Sequence, residues 1–159
     1  MVHRKHRLEL NLYKGERIIT FTICSKNKTK CFTDKLLIDK LIEILKESLT
    51  KYNCNNLAYV FMPDHIHLVI EGCSESSDAW KAIVLFKQKA GFLLKKHNNE
   101  WELEKSFFDH IHRKQEDLKK HVFYVLNNPV RKQLIKEWQD YEFKGSLDYN
   151  LNEMLFSFL

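Results

Sequence analysis

Glycine and proline are scarce: the 159 residues include four of the first and two of the second. That argues against collagen-like, low-complexity and glycine-rich β architectures and favours long helices beside a modest sheet. Long apolar runs are missing too, and none approaches the roughly 18 residues of a membrane span, so no membrane partner is expected. The basic stretch Met1–Arg7 runs into Leu8-Glu9-Leu10-Asn11, which is too short and polar for a secretory signal core. Cys24, Cys31, Cys54 and Cys73 form no CxxC pair, which speaks against a four-cysteine zinc knuckle and a secreted disulfide framework. Free thiols in a cytoplasmic protein are the expectation. Excess charge is also small, 26 Lys+Arg against 21 Asp+Glu for a net +5. Such a surplus permits a polyanionic partner without demanding one.

What is there suffices for one core, since 44% of the residues are hydrophobic and the length suits a single domain. Residues 1–15 read as a basic arm, 16–146 as the domain, and 147–159 as a poorly periodic tail. Glu16–Cys24 alternates Ile19, Phe21 and Ile23 against Ile18, Thr20 and Thr22, the pattern of a half-buried strand. Thr33-Asp34 opens a helix to about Lys51. Leu57–Met62 and His65–Glu71 read as strands broken at Pro63, which cannot donate to a ladder. Ser74–Ser77 is the expected cap of a second helix reaching about His97. Lys105–Ile111 reads as a fourth strand and Gln115–Asn127 as a third helix, with a shorter one after Pro129 to about Trp138. This order is the split βαβ pattern. It predicts an α+β, ferredoxin-like antiparallel sheet with two helices on one face and appended C-terminal helices, one carrying Tyr124.

The segment Met62-Pro63-Asp64-His65-Ile66-His67-Leu68 carries the most chemistry. On a strand His65 and His67 project to one face, a ready pair of metal ligands. One core and one surface histidine is the plainer reading of so short a pattern. His65-x-His67-x3-Glu71 also fits part of the cupin metal motif, but long helices and four glycines do not suit an all-β barrel. A second pair, His110 and His112, again shares a face. In the third helix Leu118, Val122 and Val125 form the apolar stripe, while Asp117, Lys120, His121, Tyr124 and Asn128 run down the other side. Tyr124 and Asn128 are one turn apart, so a hydroxyl and an amide oxygen can approach one ion. An amphipathic tyrosine at a helix rim is the alternative.

Together these residues resemble a family. Val60-Phe61-Met62-Pro63-Asp64-His65-Ile66-His67-Leu68-Val69-Ile70 is similar to the His-hydrophobic-His hallmark of the single-tyrosine HUH transposases. Phe107–Arg113 and Tyr124-Val125-Leu126-Asn127-Asn128-Pro129-Val130-Arg131 are similar to the matching blocks of its REP-associated branch. Thr20–Cys24, Phe86-Lys87 and Tyr141–Ser146 sit where that branch has short blocks, so the resemblance covers roughly residues 15 to 146. It implies metal-dependent nicking and strand transfer of single-stranded DNA at imperfect hairpins, through a covalent 5′-phosphotyrosyl intermediate. It makes Tyr124 the catalytic nucleophile and His65, His67 and Asn128 the ligands of Mg²⁺ or Mn²⁺. The mixed nitrogen and oxygen set suits Mn²⁺ somewhat better. His110 and His112 fall in a family-like block outside the hallmark and stay out of this ligand set.

For DNA contacts, Arg113, Arg131, Lys132 and the arm residues Arg4, Lys5 and Arg7 flank the expected site. Lys87 falls within the apolar arc of the second helix, where it either snorkels or meets a phosphate. Relatives of this type include monomers and homodimers, so both states stay open. Two rival functions remain: a catalytically inactive single-stranded nucleic-acid-binding module of the same fold, and an unrelated HxH metallohydrolase that would not need Tyr124.

Overall fold

Alternation along Ile18–Cys24 (β1) divides the core in two: Ile19, Phe21 and Ile23 are fully buried on one face, while Ile18, Thr20 and Thr22 look to the other. The computed structural model describes residues 9–113 and 115–156, the side chains of 115–117 excepted. The following elements are α1 (Lys35–Lys51), β2 (Cys54–Met62), β3 (His65–Gly72), α2 (Ala79–His97) and β4 (Phe108–His112). After them come α3 (Gln115–Leu126), the single turn α4 (Asn128–Arg131), β5 (Lys144–Gly145) and α5 (Leu151–Phe156). The strands form one sheet in the order β4-β1-β3-β2-β5, with every pairing antiparallel. The first four strands reproduce the predicted ferredoxin-like order.

Under one face, Phe21, Phe61, Ile66, Leu68 and Ile70 of the sheet meet Leu37, Leu41 and Leu45 of α1 and Ile83, Phe86 and Ala90 of α2. On the other, Leu57, Ala58, Val60, Met62 and Val69 meet Val122, Val125 and Leu126 of α3. The appended helix α3 therefore covers the face opposite α1 and α2. Asp34 caps α1 by accepting from the Leu36 N–H at 3.0 Å. The cap of α2 is Asp78 rather than Ser74–Ser77, its carboxylate accepting from the Lys81 N–H at 3.0 Å. The Ser77 hydroxyl is occupied elsewhere: it accepts from the N–H groups of Cys73 and Ser74 and donates to the Asn53 carbonyl.

On either side of residues 16–146, the described stretches 9–15 and 147–156 pack onto the domain. Tyr13 lies in the core, stacked on Phe21 with ring centroids 6.2 Å apart and 5.1 Å from Trp80. It belongs to the packed domain because a buried aromatic ring of this size stabilises far more than a polar arm residue does. Past Ser146, Leu151, Met154 and Leu155 pack onto the α3-side cluster. Asn56, buried at a bulge in β2, ties this stretch down. Its side-chain amide donates to the Ala58 and Val69 carbonyls and accepts from the Leu147 N–H, while its backbone N–H donates to Asp148. A buried side-chain amide with all these partners satisfied is retained at little cost.

Gly72 ends β3 where two backbones nearly touch: its N–H donates to the Arg17 carbonyl at 2.8 Å, and a Cβ would lie 1.9 Å from the Gly15 carbonyl oxygen. Backbone cannot yield as a side chain can, so Gly72→Ala is expected to destabilise the protein by about 2–3 kcal/mol. Urea unfolding with an unchanged m-value tests this; a midpoint equal to that of the unsubstituted chain would contradict it.

Candidate active site

The sheet's twofold alternation brings both histidine pairs to the face that α3 covers. Ile66 and Ile111 turn toward α1 and α2, so His65, His67, His110 and His112 turn the other way. Their rings meet edge to face within each pair, with centroids 4.8 Å apart for His65/His67 and 5.1 Å for His110/His112.

His65 and His67 are each held at Nδ1, by the Asp64 carboxylate at 2.6 Å and the Thr22 hydroxyl at 3.0 Å respectively. Both rings therefore have Nε2 left to offer, oriented by an outer partner in the way metal-ligating histidines commonly are. Burial, then the neighbouring His65 and the charge of Arg131, push the His67 imidazolium down to about 3. His67 is thus neutral across the physiological range, the form a metal requires. Two pre-oriented imidazoles on one strand, each held at Nδ1, fit a divalent ion.

Tyr124 projects from α3 with 61% of its surface exposed, among polar groups rather than in the core. The Arg131 guanidinium lies 3.6 Å from its ring centroid, in cation–π contact. The same guanidinium donates to Asn128 Oδ1 at 2.8 Å, and the Asn128 amide donates to the Val125 carbonyl at 3.0 Å. Tyr124, Asn128 and Arg131 thus form one constellation at the helix end, where Pro129 follows directly. Its described link to the histidine pair is Arg131, whose charge acts on His67. The Asn128 oxygen faces Arg131 rather than an open position.

The other expected contacts scatter. Arg113 is exposed and lines a cleft of about 600 Å³ together with Arg17, beside His110, His112 and His121. Lys132 is exposed in the turn after α4. Arg4, Lys5 and Arg7 lie outside the described residues. Lys87 is on α2, behind the sheet from Tyr124. Its ammonium donates to the Glu104 and Lys105 carbonyls at 2.9 Å each and lies 5.3 Å from the Phe107 ring centroid. It therefore clamps the loop before β4. Sequence reasoning missed Thr22, Thr20 and Asp64 as partners of the histidines. The threonines' polar register on an otherwise apolar strand was the available signal.

Residues 16–111 match the family model described as "Transposase IS200 like", a span that includes His65 and His67 and ends before Tyr124. A Haemophilus influenzae protein named as a REP-associated tyrosine transposase is 27% identical over 135 residues, 74% of this chain and 74% of its own length. A structure of a REP-associated tyrosine transposase bound to a REP hairpin superposes with a TM-score of 0.72 at 19% identity, over 88% of this chain and 81% of that one. A Deinococcus radiodurans structure described as a transposase gives 0.52 at 14% identity, over 80% and 97%.

Removing the clamp at Lys87 isolates its role: Lys87→Met is expected to lower unfolding stability by about 1 kcal/mol, the net value of partly exposed charged hydrogen bonds. Chemical denaturation measures this, and an unaltered midpoint would refute the clamp.

Proposed function

From the premise that this chain belongs to the IS200-like transposase family, we propose that it nicks and rejoins single-stranded DNA beside hairpins, with Tyr124 as nucleophile and His65 and His67 as metal ligands. The observation that carries the reading is the pair of imidazoles held at Nδ1 with Nε2 available, on the sheet face covered by the helix from which the exposed Tyr124 projects. The hairpin preference takes support from the relative and the structure named above. Four free thiols suit work in the cytoplasm. Among the described residues no helix is long and apolar enough to cross a membrane.

In the proposed reaction the Tyr124 oxygen attacks the scissile phosphorus and its proton passes to solvent. The bond from phosphorus to the 3′ oxygen breaks, and that oxygen leaves as a hydroxyl. The number of phosphodiester linkages is conserved, so the reverse reaction rejoins strands without an energy cofactor. A bound Mn²⁺ or Mg²⁺ would polarise the phosphate and offset its developing charge. Thr22 and Asp64 hold the imidazoles in place. Arg131 steadies the phenol ring and favours negative charge near it. Asn128 would offer its oxygen to the ion once freed from Arg131, for which a DNA phosphate would compete. Arg113 and Lys132 contribute charge to the strand's path.

The decisive experiment incubates the protein with hairpin-bearing single-stranded oligonucleotides and Mn²⁺, then denatures in SDS. A protein–DNA adduct is expected from the unsubstituted chain and none from Tyr124→Phe; an adduct with Tyr124→Phe would remove the nucleophile assignment. Joint His65→Ala and His67→Ala should slow cleavage by about 10²-fold or more, whereas normal cleavage would exclude them as ligands. An unsubstituted chain that binds hairpins but never cuts would instead favour a binding module. Thr22→Val should weaken Mn²⁺ binding at this pair about 10-fold while leaving the fold intact, the usual scale for an outer partner. Calorimetric titration reads it directly.

A further inference from the structure

Three imidazoles from two elements meet on the sheet face that also carries His65 and His67. His121 of α3 reaches back over β4, with its ring centroid 5.3 Å from that of His110 and 4.3 Å from that of His112. One ring nitrogen from each of the three lies within 4.8 Å of the others. Tetrahedral zinc, with Zn–N bonds of about 2.0–2.1 Å, spaces its ligand nitrogens about 3.4 Å apart, so the set must close by only about 1.4 Å. Small ring rotations achieve that. Thr20 Oγ1 already holds His112 Nε2 at 2.6 Å, the kind of outer contact that fixes a ligating ring.

Strand register keeps this cluster apart from His65/His67. On β1, Thr20 and Ile18 oppose His110 and His112, whereas Thr22 and Cys24 oppose His67 and His65 on the other side. The midpoints of the two pairs are thus about four residues, or roughly 13 Å, apart along β1 and about 10 Å apart across the sheet. One ion cannot serve both. The donors also differ in chemistry: among the described residues this set is three imidazole nitrogens, which favours Zn²⁺ and its neighbours Co²⁺, Ni²⁺ and Cu²⁺ over Mg²⁺ or Mn²⁺. The cleft shared with Arg17 and Arg113 gives a fourth position access to water or an anionic oxygen.

We propose that His110, His112 and His121 bind one ion of the Zn²⁺ class and so fasten the tyrosine-bearing helix to the edge of the sheet. His121 precedes Tyr124 by three residues, less than one helical turn, so an ion held here restrains the segment from which the tyrosine projects. This site stands whether or not Tyr124 attacks DNA.

The test uses the full chain stripped with a chelator and titrated with Zn²⁺ by calorimetry, with Co²⁺ absorption to report geometry. The unsubstituted chain should retain tight Zn²⁺ binding, and the His65→Ala, His67→Ala double variant should bind one Zn²⁺ with tetrahedral-type Co²⁺ absorption. Zn²⁺ should also slow amide exchange across residues 118–126. Adding His121→Gln to that double variant should weaken Zn²⁺ binding 100-fold or more and abolish the slowing. Circular dichroism and the metal-free unfolding midpoint establish that each variant is folded. If the folded double variant binds no Zn²⁺, or if His121→Gln leaves affinity and exchange unchanged, the second site does not exist.

Discussion

Two threonine hydroxyls, two residues apart on the interior strand β1, hold one imidazole from each histidine pair: Thr22 on His67 and Thr20 on His112. The whole functional face follows from that placement. Strand β1 lies between β3 and β4, so its outward side chains are the ones that both pairs meet. Sliding its register by one residue would send Ile19 and Phe21 toward the histidines and the hydroxyls into the α1/α2 core. The apolar half of β1 thereby fixes the polar half, because burying Ile19, Phe21 and Ile23 leaves only one way for the threonines to point.

The second layer supplies what the sheet cannot. Val122, Val125 and Leu126 seat α3 against β2 and β3, which leaves its opposite flank to His121 and Tyr124. Arg131 gathers the end of that helix by engaging the Tyr124 ring and the Asn128 oxygen at once. Its charge and the local burial both favour uncharged His67. The electrostatics around the histidine pair are therefore set partly by a residue more than sixty positions away in sequence. Lys87, the other cation singled out from sequence, serves the opposite layer as a loop clamp.

Local patterns were legible in advance where the neighbours are set by spacing. Alternation revealed β1, the Thr33-Asp34 signal opened α1, the periodic apolar stripe revealed α3, and the offset of four placed Asn128 one turn from Tyr124. Contacts between distant segments were not legible. His112 meets Thr20 across 92 residues, and His121 joins two strand histidines from another element, so no window along the chain contains the cluster. Tyr13 sits in a stretch whose composition is polar, yet its ring is fully buried. The two residues of β5 are too few to show alternation; they pair with Tyr59 and Val60 because Phe143 and Tyr141 bring the chain alongside β2. Ser77 has the chemistry of a helix cap, but the turn at Asn53 claims its hydroxyl first.

The Asn56 node sets a limit on how short this protein can be made. Ending the chain at Ser146 would strip Leu147 and Asp148 from a buried side-chain amide and a buried backbone N–H, orphaning both an acceptor and a donor. It would also bare the patch that Leu151, Met154 and Leu155 cover. The last stretch of sequence thus behaves as a keystone set after the arch: added late in the chain, yet holding the bulge of β2 in the shape on which the helix bearing Tyr124 rests.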